Sequence, residues 1–129
     1  MLPPVIAVID DDLDILELME ILLRWAGYQP LVWPTAQDAY ELMRRRQPAL
    51  VILDLHLEHT EAGWMLLNQL RLDPVTAHIP AILSSCDRDF LRQRGRVLQA
   101  KGCAILEKPF DPQVLVRLIE QRLVVPVAQ

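Results

Sequence analysis

Apolar residues in this chain fall into two patterns: short unbroken runs, and longer stretches with a rhythm of three to four residues. Unbroken runs of four to eight, bounded by turn residues, are the mark of strands buried on both faces. They occur at 5–9, 50–53 and 103–106, with Ala81-Ile82-Leu83-Ser84 and the short stretch 29–33 also predicted as strands. Between them the rhythmic stretches predict helices. The first carries Ile15, Leu18, Met19 and Leu22 as its inward stripe and stops at Gly27. The second opens at Pro34-Thr35, points Ala39, Leu42 and Met43 inward, and ends on Arg44-Arg45-Arg46, where cations suit the helix dipole. The third uses Leu66, Leu67 and Leu70 and stops at Asp73-Pro74. The fourth, 88–100, uses Leu91 and Leu98 but has Gly95 in its middle, a cost of about 1 kcal/mol relative to Ala. The last buries Leu115, Leu118 and Ile119.

Five strands alternating with five helices define an α/β fold with a parallel sheet, right-handed crossovers and helices on both faces. In such sheets ligands bind outside the carboxyl ends of the strands. The residues there are Asp10 and Asp11 after the first strand, Asp54 after the third, Ser85 after the fourth and Lys108 after the fifth. With strands ordered 2-1-3-4-5, the first and third are neighbours and the three acids converge. Carboxylates about 4 Å apart repel by roughly 4 kcal/mol at an effective dielectric near 20, so the cluster calls for a cation. An all-oxygen set with room for water and phosphate suits Mg²⁺, and Ser85 and Lys108 would hold phosphoryl oxygens. Singly, each residue has a plainer reading: the Asp triplet as helix cap, Lys108 as a solvated strand end, Ser85 as a turn residue. Four strand ends supplying compatible chemistry argue for a phosphoryl-transfer site. His56 and His59 lack a third soft ligand and make a weak case for a transition metal.

Composition narrows the classes further. The 129 residues suffice for one domain, 1–123, followed by a tail or linker stub, 124–129. A net charge of −4 argues against a nucleic-acid surface within the chain. Cys86 and Cys103 sit in apolar surroundings and read as reduced, near-core thiols of a cytoplasmic protein. No signal peptide, membrane span, repeat or effector module is evident, which favours a stand-alone protein.

The motifs Val8-Ile9-Asp10-Asp11-Asp12, Val51-Ile52-Leu53-Asp54, Pro80-Ala81-Ile82-Leu83-Ser84-Ser85 and Leu106-Glu107-Lys108-Pro109-Phe110 resemble, in order and spacing, the receiver domains of two-component response regulators. The resemblance implies the flavodoxin-like (βα)5 fold, with Asp54 as phospho-acceptor and Asp10 and Asp11 as metal-binding acids. It adds the backbone carbonyl of His56 as a further Mg²⁺ ligand and a cis peptide before Pro109. It implies a sensor histidine kinase or phosphotransfer protein as donor, and a switch that catalyses only its own phosphorylation and dephosphorylation. A downstream protein, or a second copy, would meet the surface of the fourth helix, fifth strand and fifth helix, where Arg88, Arg92, Arg94, Arg96 and Lys101 form a basic patch. Three departures stand out. The loop from Asp54 to Gly63 is one residue longer than the commonest form, Glu58 replaces a usual proline, and Ile105 replaces a usual switching aromatic. Two other readings stay open: a pseudo-receiver that signals without phosphate, and an Asp-dependent phosphohydrolase, disfavoured because His56 stands where that class needs an acid.

Overall fold

The computed structural model describes residues 2–56, 62–100 and 102–123. Its elements run β1 (Val5–Ile9), α1 (Leu13–Trp25), β2 (Gln29–Trp33), α2 (Ala39–Arg46), β3 (Leu50–Asp54), α3 (Ala62–Leu72), β4 (Ala81–Ser85), α4 (Arg88–Ala100), β5 (Ala104–Glu107) and α5 (Pro112–Leu123). All four strand pairings are parallel and the order is β2-β1-β3-β4-β5. The doubly wound arrangement expected from the sequence is the one observed.

Successive side chains of a strand point to opposite faces, so each central strand feeds two cores. Ile6, Val8, Leu50, Ile52, Ile82 and Leu106 pack under α1 and α5 with Leu16, Met19, Leu23, Leu115 and Ile119. Ala7, Ile9, Val51, Leu53 and Leu83 pack under α2, α3 and α4 with Met43, Leu66, Leu67, Leu70 and Leu98. β3 is buried along its whole length, Asp54 included. Loops are pinned by side chains. Arg71 donates to the carbonyls of Ala77 (3.1 Å) and Ile79 (2.7 Å), tying α3 to the approach of β4. Asp73 accepts from Tyr40, and from Arg44 at 3.0 Å, tying α2 to the end of α3.

Several expectations need correction. The inward stripe of α1 is Leu16, Met19 and Leu23, while Leu18 is 48% exposed and Ile15 and Leu22 lie half-buried at the flanks. Nine of the thirteen residues of α1 are apolar, so two stripes fit the rhythm equally and only the sheet chooses between them. α2 begins at Ala39 rather than at Pro34, because the preceding residues form a turn closed by the Trp33 indole donating to the Gln37 carbonyl at 2.8 Å. α4 runs unbroken through Gly95, which is buried. Cys103 is buried as expected, but Cys86 is exposed.

Candidate functional site

The carboxyl ends of β1, β3 and β5 meet because β1 and β3 are adjacent and the loop after β5 reaches back over them. Asp10 and Asp54 are almost fully buried, at 2% and 8% exposure. One carboxylate oxygen each of Asp10, Asp11 and Asp54 lies within 4.8 Å of the others. Lys108 donates from Nζ to Asp10 Oδ2 at 2.6 Å and reaches Asp54 Oδ2 at 3.3 Å. The remaining oxygens are held by the backbone: the Asp12 amide donates to Asp10 Oδ1 and the His56 amide to Asp54 Oδ1, both at 2.9 Å. Asp10, Asp11, Asp12, Asp54 and Lys108, with Ile15, Cys86 and Pro109, line an open cleft of about 450 Å³.

The Asp triplet divides its labour. Asp12 is the helix cap, its side chain accepting from the amides of Asp14 (3.0 Å) and Ile15 (3.3 Å). Asp10 and Asp11 are thereby left to the cleft. Burial pushes the Asp10 carboxyl above the usual carboxylate range, outweighing the hydrogen bonds from Lys108 and the Asp12 amide that pull it down. Burial alone would lower Lys108, but its hydrogen bond to Asp10 and the two acidic charges hold it above the ordinary lysine value. The lysine is therefore a fixed cation. One positive charge among three acids leaves an excess of negative charge, and a compact all-carboxylate donor set with open solvent access fits a hard divalent ion such as Mg²⁺.

Ser85 is placed differently from Asp10, Asp11, Asp54 and Lys108. It ends β4, is fully buried, and its Oγ accepts from the Asp87 amide at 3.0 Å, so Cys86 rather than Ser85 lines the cleft. Its carbonyl accepts from the Lys108 amide at 2.9 Å, which anchors the lysine's loop to β4. The Lys108–Pro109 peptide is cis. The His56 ring packs edge-on against Phe90 of α4, with centroids 5.1 Å apart. Phe90 in turn meets Trp64 of α3, and the Arg94 guanidinium lies 5.7 Å from both ring centroids. Arg94 thus leaves the expected basic patch for an aromatic shelf, while Arg88 is paired with Glu107 at 2.6 Å. Lys101, the longer loop and its Glu58 and His59 lie outside the described residues.

Two contributors escaped the sequence reading. Gly63 packs so tightly on the end of β3 that a Cβ there would lie 2.1 Å from the Asp54 carbonyl oxygen. Its position nine residues after Asp54 was visible, but the close approach was not. Ile15, on the flank of α1, forms part of the cleft wall.

A parallel sheet of this order with an acidic cleft over its central strands is the arrangement the resemblance to receivers implies, and the family comparison agrees. The model of the response regulator receiver domain matches residues 6–120, and the chain belongs to that family. It is 33% identical over 117 residues to an uncharacterized 14.6 kDa protein of Leptolyngbya boryana, covering 90% of this chain and 87% of the relative. It is 32% identical over 112 residues to the phosphate regulon transcriptional regulatory protein PhoB of Pseudomonas aeruginosa, covering 86% of this chain and 48% of that protein's length. Among solved structures, a putative response regulator of Chloroflexus aurantiacus superposes with a TM-score of 0.82 at 27% identity, covering 94% of this chain and 98% of that one. The receiver domain of a Pseudomonas aeruginosa sensor histidine kinase, crystallised with a magnesium ion in its active-site cleft, shares the fold at 19% identity and a TM-score of 0.80, over 94% and 98% of the two chains. Receiver domains are signalling switches of two-component systems, generally not enzymes, and they interact with histidine kinases or phosphotransfer proteins. No helix among the described residues is long and apolar enough to cross a membrane.

Proposed function

We propose that this chain, as a single receiver unit through Leu123, accepts a phosphoryl group on Asp54 from the phosphohistidine of a sensor kinase or phosphotransfer protein. The observation that carries this is the convergence of Asp10, Asp11, Asp54 and Lys108 in one open cleft. An Asp54 oxygen attacks phosphorus while the P–N bond breaks and its electron pair returns to the imidazole. Lys108 meets the equatorial oxygens, exchanging its bond to Asp10 for one to the phosphoryl group. Asp10 and Asp11, with Asp54 and the backbone carbonyl of His56, would hold Mg²⁺, which when bound neutralises the acids against the incoming anion. Ser85, one residue below the cleft lining, reaches the phosphoryl group by giving up the Asp87 amide, and the shift moves the start of α4. Downstream contacts are assigned to the α4, β5 and α5 surface. Hydrolysis of the acyl phosphate by water resets the switch.

A phosphate-independent interaction module is the second reading, favoured by the sealed position of Ser85 and by Ile105, a half-buried aliphatic side chain packed against the core where the family usually places a switching aromatic. One measurement separates them: intact mass after incubation with acetyl phosphate and Mg²⁺, beside Asp54→Asn. The expected gain is one phosphoryl group, about 80 Da, lost in the variant and without metal. A folded protein that gains nothing would leave the interaction module standing.

A further inference from the structure

Of the nine large apolar side chains exposed among the described residues, four lie on α1: Leu13, Leu18, Ile21 and Trp25. This concentration is unusual because α1 already buries Leu16, Met19 and Leu23 against the sheet. The outward face is itself patterned. Asp14, Leu18, Ile21 and Trp25 follow one another at intervals of four, three and four residues, the spacing of a coiled-coil seam, and stand opposite the buried stripe. Leu18 is 48%, Ile21 64% and Trp25 86% exposed, so among the described residues this side of α1 presents an uncovered apolar stripe.

The charges beside the seam select the occupant. On one flank stand Glu17 and Arg24, both exposed and seven residues apart; on the other stand Ile15, in the cleft wall, and Leu22, beside α5, both half-buried. A second α1 laid parallel would set Asp14 against Asp14 and give Glu17 and Arg24 no opposite charge. Laid antiparallel, the same helix sets Leu18 against Ile21 and Trp25 against Asp14, each twice. Glu17 of each copy then faces Arg24 of the other, and Ile15 faces Leu22. The Trp25 indole N–H also gains an acceptor in Asp14, the one polar residue of the seam. We propose that α1 is a self-association surface on which two copies of this chain pair antiparallel through Leu18, Ile21 and Trp25, with reciprocal Glu17–Arg24 ion pairs. The symmetry is isologous, as a two-fold dimer requires. One helix per copy is a small interface, which places the dimer among weak, concentration-dependent ones.

Sedimentation equilibrium of the full chain from about 10 μM to about 1 mM tests this, the average mass being expected to climb from 14.8 kDa toward twice that value. Ile21→Glu, at an exposed position that leaves the thermal midpoint unchanged, should hold the protein monomeric throughout. Glu17→Arg and Arg24→Glu should each weaken association by about five- to tenfold, and the double charge swap should restore it. Restoration is the signature of the antiparallel pairing, since no other occupant is repaired by a swap within one chain. A wild type that stays monomeric over the whole range would overturn the proposal and assign the stripe to a helix of another protein. Association that survives Ile21→Glu, or a double swap no better than the single variants, would overturn it equally.

Discussion

Lys108→Met removes the only basic side chain among the described residues of the cleft lining while keeping the length and apolar stem of the residue it replaces. In the wild type the ammonium lies 2.6 Å from Asp10 and 3.3 Å from Asp54, with Asp10 almost wholly buried. Opposite charges at about 3 to 4 Å attract by roughly 4 to 5 kcal/mol at an effective dielectric of 20. The variant also recovers what burying the lysine costs, and the cleft is open to water, so the net loss belongs at the low end of the about 3 to 5 kcal/mol seen when a buried pair is broken. For a chain of this length about 3 kcal/mol corresponds to a fall in Tm of roughly 10 to 15 °C. That fall is expected in EDTA. A divalent ion at about a hundred times its Kd stabilises the native state by about 2.7 kcal/mol, and it binds more tightly where no lysine competes for Asp10. The gap between variant and wild type should therefore close in Mg²⁺. Urea unfolding of both proteins, with and without the ion, measures it. A gap of equal size in EDTA and in Mg²⁺, or a variant as stable as the wild type in EDTA, refutes the reasoning that the lysine and the metal neutralise the same acids.

Other substitutions probe the frame around the cleft. Gly63→Ala forces a Cβ to within 2.1 Å of the Asp54 carbonyl oxygen unless α3 moves, and should cost at least about 2 to 3 kcal/mol in urea unfolding while lowering acetyl phosphate labelling. Asp12→Ala removes the α1 cap and should cost about 1 kcal/mol, most of it returned by Asp12→Ser. Gly95→Ala should stabilise by about 0.5 to 1 kcal/mol, because a Cβ there meets nothing within 4 Å and the unfolded chain loses freedom; an unchanged or lowered urea midpoint would count against this. Hydrogen bonds from Tyr40, the Val75 amide and Arg44 hold the Asp73 carboxyl below its ordinary range. Its contribution is thus present above the unfolded value of 3.8 and lost as pH falls through the lower, folded one. Asp73→Asn should flatten the acid limb of a stability-against-pH curve at that end.

The parts of the structure legible in the sequence are those decided by local pattern. The run through Leu50, Val51, Ile52 and Leu53 has the pattern of a strand covered on both sides, and the parallel order it implies brings the acids at the ends of the first and third strands together. Side-chain partnerships across distant segments were not legible. Whether Leu18 or Leu16 faces the sheet depends on how α1 settles on β1 and α5, since both satisfy the helical period. Arg94 reads as one more arginine of a basic face until Trp64, thirty residues earlier, is found beneath it. Ser85 stands at the expected strand end, yet the direction of its hydroxyl is set by the amide of Asp87. The triplet Asp10-Asp11-Asp12 was open to both capping and a place in the cleft, and the structure divides the two: Asp12 caps α1, while the Asp10 and Asp11 carboxylates gather beside Asp54.

The ring contacts that begin at His56 make the chain its own optical instrument. Trp64 touches Phe90, which touches the ring two residues from Asp54, so its emission reads the turn that follows the acid. Trp25, almost fully exposed on α1, is the tryptophan a soluble quencher reaches first, whereas Trp33 is tethered by its indole to the Gln37 carbonyl. The three indoles thus stand in three environments, one near the cleft, one on the α1 face and one on the edge strand, which single-tryptophan variants would read one at a time with no label attached.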